Sequence, residues 1–192
     1  VIGGLIQPAF RRGELRAGFR MLPAAAKPVV MNVKGASAAG KSTTRHYQRD
    51  LARRLGLKWE DFALISPDIW RKYLLDYSSL GSAAKYAGML AGNELEIVDE
   101  KLDRYMAGKA AAGRMSHLLI DRFRFDSFPR TGDDNGGNLL SRFASDLYMF
   151  FMITPPEATV ERAWLRGLQI GRYKAVDDLL AHNVEAFLGM PR

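Results

Sequence analysis

The chain has no cysteine among its 192 residues, so neither a disulfide framework nor a thiolate zinc site is open to it. No apolar run approaches the roughly 20 residues of a membrane span. The longest, Leu147 to Ile153, suits a buried strand. A charged start followed by a sustained apolar core is also missing, which argues against a signal peptide and for a cytoplasmic protein. His46, His117 and His182 have no ligand spacing and read as structural residues. The base-reading segment Asn-Lys-x-Asp does not occur, nor does a helix-turn-helix or zinc-finger spacing. Internal repeats and low-complexity tracts are absent as well. The opening Val1 and the closing Pro191-Arg192 suggest an excised part of a longer chain.

What is present is a hydrophobic content of 47%, enough for one good core, and a formal net charge of +7. A basic balance invites a nucleic-acid partner, because neutralised phosphates drive such binding. Here the cations are spread through helical segments. Pairs such as Arg11-Arg12 and Arg53-Arg54 read as solvated helix faces, so nucleic acid is disfavoured. A small polyanionic substrate would use the same arginines.

Residues 1–28 read as an N-terminal extension with a short amphipathic helix over Gly13 to Met21, closed by the breaker Pro23 to Pro28. Residues 29–190 read as one domain. Strands are expected at Val29 to Val33, Phe62 to Ile65, His117 to Asp121 and Leu147 to Ile153. Helical spacing runs from Lys41 to Leu55, with Tyr47, Leu51 and Leu55 on one face. It also runs from Ala83 to Ala112, with Leu95, Val98, Leu102 and Met106 as the buried stripe and Gly113 as the stop. Two further helices follow Pro155-Pro156, over Glu157 to Gly167 and Val176 to Phe187. Nearly continuous apolar strands alternating with helices predict an α/β fold, a central parallel sheet with helices on both faces.

The stretch Gly35-Ala36-Ser37-Ala38-Ala39-Gly40-Lys41-Ser42-Thr43 matches G-x-x-x-x-G-K-[ST] where the mechanism needs it, after an apolar strand and at the start of a helix. Small side chains let successive backbone N–H groups face phosphate oxygens, and the helix N-terminus adds donors and partial positive charge. Lys41 then reaches the β- and γ-phosphates of ATP, and the Ser42 hydroxyl ligates Mg²⁺. By average residue usage the string arises by chance in roughly one chain of this length in a hundred. Its flanking elements make accident rarer still. The third strand ends Asp121-Arg122, without the glutamate that motor ATPases use to polarise water, which favours transfer over hydrolysis.

Several other residues admit two readings. Asp68, just past the second strand, is either the base that takes the acceptor's proton or an acid complementing a helix dipole behind Ser66-Pro67. Asp121 either holds Mg²⁺, directly or through water, or pairs with Arg122 or Arg124; Asp126 is a weaker candidate. Arg162, Arg166 and Arg172 either supply charge to the transferring phosphoryl group from a lid or form a solvated face with Glu157 and Glu161. Glu96 and Glu100 share a helix face that either reads acceptor hydroxyls or faces solvent.

Taken together, the glycine–lysine loop, Ser66-Pro67-Asp68, the strand edge His117 to Asp126 and the tail from Thr154 to Asn183 resemble the zeta toxin-like P-loop kinases. The resemblance covers residues 29–187. It implies a three-layer P-loop NTPase fold of kinase type with an arginine-bearing lid, and transfer of the ATP γ-phosphate to a hydroxyl of a small molecule such as a nucleotide-sugar. It further implies that Lys41 and Ser42 hold ATP and Mg²⁺, that Asp68 is the base, and that the arginines at 162 to 172 clamp phosphates. A neutralising protein partner is expected if the activity is toxin-like. The family's strand commonly ends in Glu-Gly-Thr where this chain has Asp121-Arg122-Phe123. Two alternatives remain beside the kinase: a nucleotide-binding regulatory module without transfer activity, and a nucleic-acid-dependent ATPase.

Overall fold

The computed structural model describes residues 8, 12, 14–18, 21–66, 77–87, 92–121, 143–171 and 173–188, with the backbone alone at 92–96, 98 and 99. Of the helix expected over Gly13 to Met21, residues 14–17 are helical, whereas Gly18, with φ of 69°, is a turn and Met21 lies outside any helix.

Strand β1 spans Val29–Gly35, and all seven of its residues are buried. β-Branched Val29, Val30 and Val33 favour the extended chain, and burial on two sides suits a central strand. Around it lie β2 (Phe62–Ile65), β3 (His117–Ile120) and β4 (Asp146–Met152). Among the described residues they form one sheet in the order β2-β3-β1-β4. Every pairing is parallel, with Val30 opposite Leu118, Gly35 opposite Met152 and Ile65 opposite Ile120.

Successive β1 side chains point to opposite sides, so two cores form. On one face Val30, Leu118, Ile120 and Ile65 pack with Leu102 and Met106 of helix α2 (Gly92–Ala111). On the other, Val29, Met31, Leu119 and Phe62 pack with Ala52 of helix α1 (Arg45–Arg54). Helices α3 (Pro156–Ile170) and α4 (Val176–Leu188) follow β4 and pack on each other. No helix of the described residues is long and apolar enough to cross a membrane.

Two expectations need correction. The first helix does not run smoothly from Lys41: a 3₁₀ turn over Lys41–Thr44 precedes α1. Its sheet-facing residues are Thr44, Gln48 and Ala52, whereas Tyr47 and Leu55 are exposed. The phase is set by where the preceding loop releases the chain, and small or polar side chains occupy the inner row. Likewise, the helix expected from Ala83 is not α-helical at its start: Ala83 to Tyr86 belong to a 3₁₀ segment, Ser78–Tyr86, that bends at Gly81, where φ is 52°, and α2 is described over Gly92–Ala111. Leu102 and Met106 are buried as the stripe predicts; the Leu95 and Val98 side chains lie outside the described residues. Gly113, with φ of 63°, follows the end of α2.

His117 fastens the start of β3 to its neighbours. Its Nδ1 accepts a hydrogen bond from the Val29 N–H at 3.1 Å, and its ring lies 5.0 Å from that of Phe62. Burial holds its pKa below the ordinary 6.5, partly offset by the Asp61 carboxylate. Acid therefore protonates the unfolded chain first. Stability attributable to His117 is complete above pH 6.5 and is lost as pH falls from there toward the folded-state pKa. A thermal midpoint that falls between pH 7 and 5, with a shallower fall in His117→Gln, is the expected result; identical slopes would remove the assignment.

Candidate active site

At the carboxyl end of β1 the chain turns through Gly35 to Lys41. Ala36 and Ala39 are buried, and the turn is closed by the Ala39 N–H donating to the Ala36 carbonyl at 3.2 Å. Ala38 has φ of 60° and Gly40 φ of 97°. The second is a left-handed conformation that glycine adopts without a Cβ clash. No side chain caps the helical start at Gly40, and the Thr43 N–H donates to the Gly40 carbonyl at 2.9 Å.

Gly35 is needed for a different reason. A Cβ there would stand 2.8 Å from the Met152 carbonyl oxygen and 3.0 Å from the Met152 Cβ, inside ordinary contact. β1 and β4 would have to part where the loop begins. Gly35→Ala should therefore cost about 1–3 kcal/mol of stability, the usual range for overpacking. A urea midpoint equal to that of the parent would refute this close approach.

Lys41 folds over the loop. Its ammonium donates to the carbonyls of Gly35, at 2.8 Å, and Ala36, at 2.7 Å. Thr43 and Thr44 hydroxyls turn back to the Gly40 and Lys41 carbonyls, while Ser42 is exposed. From α3, Arg162 reaches across and donates to the Ala39 carbonyl at 3.3 Å, beside the Thr154 hydroxyl, which donates to the same oxygen at 3.0 Å. These contacts wall a groove of about 440 Å³ between the loop and the chain leaving β4, lined by Ala39, Gly40, Thr43, Ile153, Pro155 and Arg162 among others. Arg166 lies one turn along α3 and is half-buried.

Asp121 stands just beyond β3, its N–H held by the Ile65 carbonyl. Its carboxylate pairs with Arg45 of α1 at 2.5 Å, with both side chains about a quarter exposed. Arg45 also donates to the oxygen of buried Gln48. Its partner in this ion pair is thus a residue the sequence reading had not considered. Arg122, Arg124, Asp126, Asp68 and Arg172 lie outside the described residues, as does the Glu96 side chain. Glu100 is exposed and pairs with Arg104 at 3.3 Å, which fits the solvent-facing reading of that residue.

Among the described residues no cluster of three or more His, Cys, Asp or Glu could hold a metal ion. A magnesium ion that arrives on phosphate oxygens and keeps several waters needs only one or two protein ligands. The exposed Ser42 hydroxyl fits that requirement directly, and Asp121 fits it if its carboxylate is shared with Arg45.

One residue read as structural proves to touch the loop. Nδ1 of His182, on α4, lies 2.9 Å from the Ser37 hydroxyl and 3.2 Å from the Lys174 ammonium. Nothing local could signal this, because Ser37 and His182 are 145 positions apart.

No family model matches the chain, and no curated protein matches it. Solved structures do. One is a chain of the Pnkp1/Rnl/Hen1 RNA repair complex, at a TM-score of 0.54 and 14% identity over 85% of this chain. The match spans 45% of that chain, less than half its length. Another belongs to the PezAT chromosomal toxin–antitoxin system of the human pathogen Streptococcus pneumoniae, at a TM-score of 0.54 and 17% identity. It covers 94% of this chain and 70% of that one. Such likeness shows the fold alone, a parallel α/β sheet with helices.

Proposed function

We propose that the chain is an ATP-dependent phosphotransferase of the zeta toxin-like kind, moving the γ-phosphate of ATP to a hydroxyl of a small molecule. The observation that carries this reading is the loop from Gly35 to Lys41. It leaves a central parallel strand, opens onto uncapped helix amides, and carries a lysine whose ammonium sits over its own carbonyls. That arrangement suits a triphosphate tail, which would replace the two carbonyls as the partner of Lys41.

In this reading the acceptor oxygen forms a bond to the γ-phosphorus as the bridging oxygen to the β-phosphate leaves with its electrons. The acceptor proton passes to the Asp68 carboxylate. Arg162, already at the edge of the loop, supplies positive charge to the equatorial oxygens, with Arg166 one turn along α3, and Arg172 is assigned the same role by the motif resemblance. Magnesium, held by Ser42 and Asp121, would neutralise charge on the β- and γ-oxygens. The likeness to a toxin–antitoxin chain agrees with the motif resemblance and supports a neutralising protein partner.

The test is incubation of the protein with γ-labelled ATP, magnesium and a small-molecule extract, followed by mass spectrometry. A labelled phosphomonoester that is missing with Lys41→Ala is expected. The same product from both proteins would end the proposal. A second reading, a nucleic-acid-dependent ATPase, has the net charge of +7 behind it. It requires instead that RNA or DNA accelerate phosphate release, with a steep salt dependence.

A further inference from the structure

The loop between α3 and α4 is anchored at one point. Tyr173 packs its ring on Gly167 so closely that a Cβ there would come within 2.4 Å of it. Trp164 and Tyr86 lie beside the same ring, at centroid distances of 5.9 and 6.4 Å. Lys174 therefore starts from a fixed position, and its ammonium ends 3.2 Å from His182 Nδ1.

An ammonium only donates, so Nδ1 must accept, and the ring is neutral with its proton on Nε2. The Ser37 hydroxyl meets the same nitrogen at 2.9 Å. Three groups from the glycine–lysine loop, the α3–α4 connection and α4 thus converge on one atom. The Lys174 ammonium lies no farther from the Ser37 hydroxyl than those two distances combined. Ser37 directly follows Ala36, whose carbonyl holds the Lys41 ammonium. The two lysines therefore approach the same part of the loop from different elements.

We propose that Lys174 is a second phosphate-binding lysine, directed at the terminal phosphate of the bound nucleotide, and that His182 is the positioning residue that holds it there. The proposal rests on the nucleotide-binding reading above. The physical reason is a difference in partners. A neutral imidazole is a modest acceptor for a cation, whereas an anionic phosphate oxygen forms a charge-assisted hydrogen bond about twice as strong as a neutral one. A third phosphate that reaches the Ser37 side of the loop takes such a bond from the ammonium that His182 keeps there. A diphosphate, which ends short of that position, does not. Lys174 then distinguishes triphosphate from diphosphate, and His182 limits its search in the free protein.

The experiment is calorimetric titration of the full chain with magnesium and either ADP or a non-hydrolysable ATP analogue. Lys174→Ala should weaken the triphosphate analogue about tenfold and ADP by less than about twofold, as expected for loss of one charge-assisted bond. Lys174→Arg should recover most of the difference. His182→Ala, with Lys174 in place, should weaken the analogue about threefold and leave ADP unchanged. Should Lys174→Ala not fold, as judged by circular dichroism, Lys174→Gln gives the same comparison. Equal losses for both nucleotides, or none, would overturn the assignment of Lys174 alone. Failure of the parent protein to bind either nucleotide would remove both this inference and the kinase reading.

Discussion

Replacing Lys41 by alanine is expected to lower phosphoryl transfer by about 10²–10³-fold, the usual consequence of removing one preorganised charged donor from a transition state. The reason is where the ammonium sits. It bonds the Gly35 and Ala36 carbonyls, on the short turn that leaves β1. It is the charge that must offset the phosphate chain if one enters. The fold should survive, since the lysine is only part-buried and gives up two bonds, those to the Gly35 and Ala36 carbonyls. Each lost bond, having a charged donor, is worth about 1.5–3 kcal/mol. Single-turnover measurement with labelled ATP, beside a urea melt of the same preparation, separates these effects. Undiminished transfer by a folded Lys41→Ala protein would show that the loop is not the phosphate site.

The second large effect is expected at Asp68. Asp68→Asn should reduce transfer by about 10²–10⁴-fold, the range for a general base, while ATP affinity stays within about twofold. The amide matches the carboxyl in size but cannot take the acceptor's proton. Such a split distinguishes a base from a binding residue. The chain leaves β2 at Ile65, opposite Ile120 of β3, on the sheet edge from which the Gly35 loop also departs. That is the edge where ligands of open parallel sheets collect. A nucleotide-binding module without transfer would show no dependence on Asp68. If both affinity and rate were unchanged in the variant, another group must serve as base.

Much of the fold was readable because its signals are local. Each of the four strands is a short apolar run. In three of them, β2, β3 and β4, the structure differs from the sequence boundaries by no more than a residue at either end. β1 extends two residues further, through Lys34 and Gly35, because β4 continues to pair with it there. The parallel arrangement followed from the alternation of such runs with helices. The packing of α1 did not follow. Periodicity favoured Tyr47, Leu51 and Leu55 as one face; Leu51 does pack against the core, but Tyr47 and Leu55 are exposed and the buried row is Thr44, Gln48 and Ala52.

The sequence by itself determined the glycine–lysine loop, the strand that delivers it and the α/β class, because each depends on neighbours along the chain. Tertiary structure alone decided which distant groups meet there. Arg162 reaches Ala39 across 123 positions, Arg45 takes Asp121 across 76, and His182 reaches Ser37 across 145. Those meetings are set by how four strands order themselves and how α3 and α4 fold back after β4. Side-chain packing fixes that geometry, and no local residue pattern encodes it.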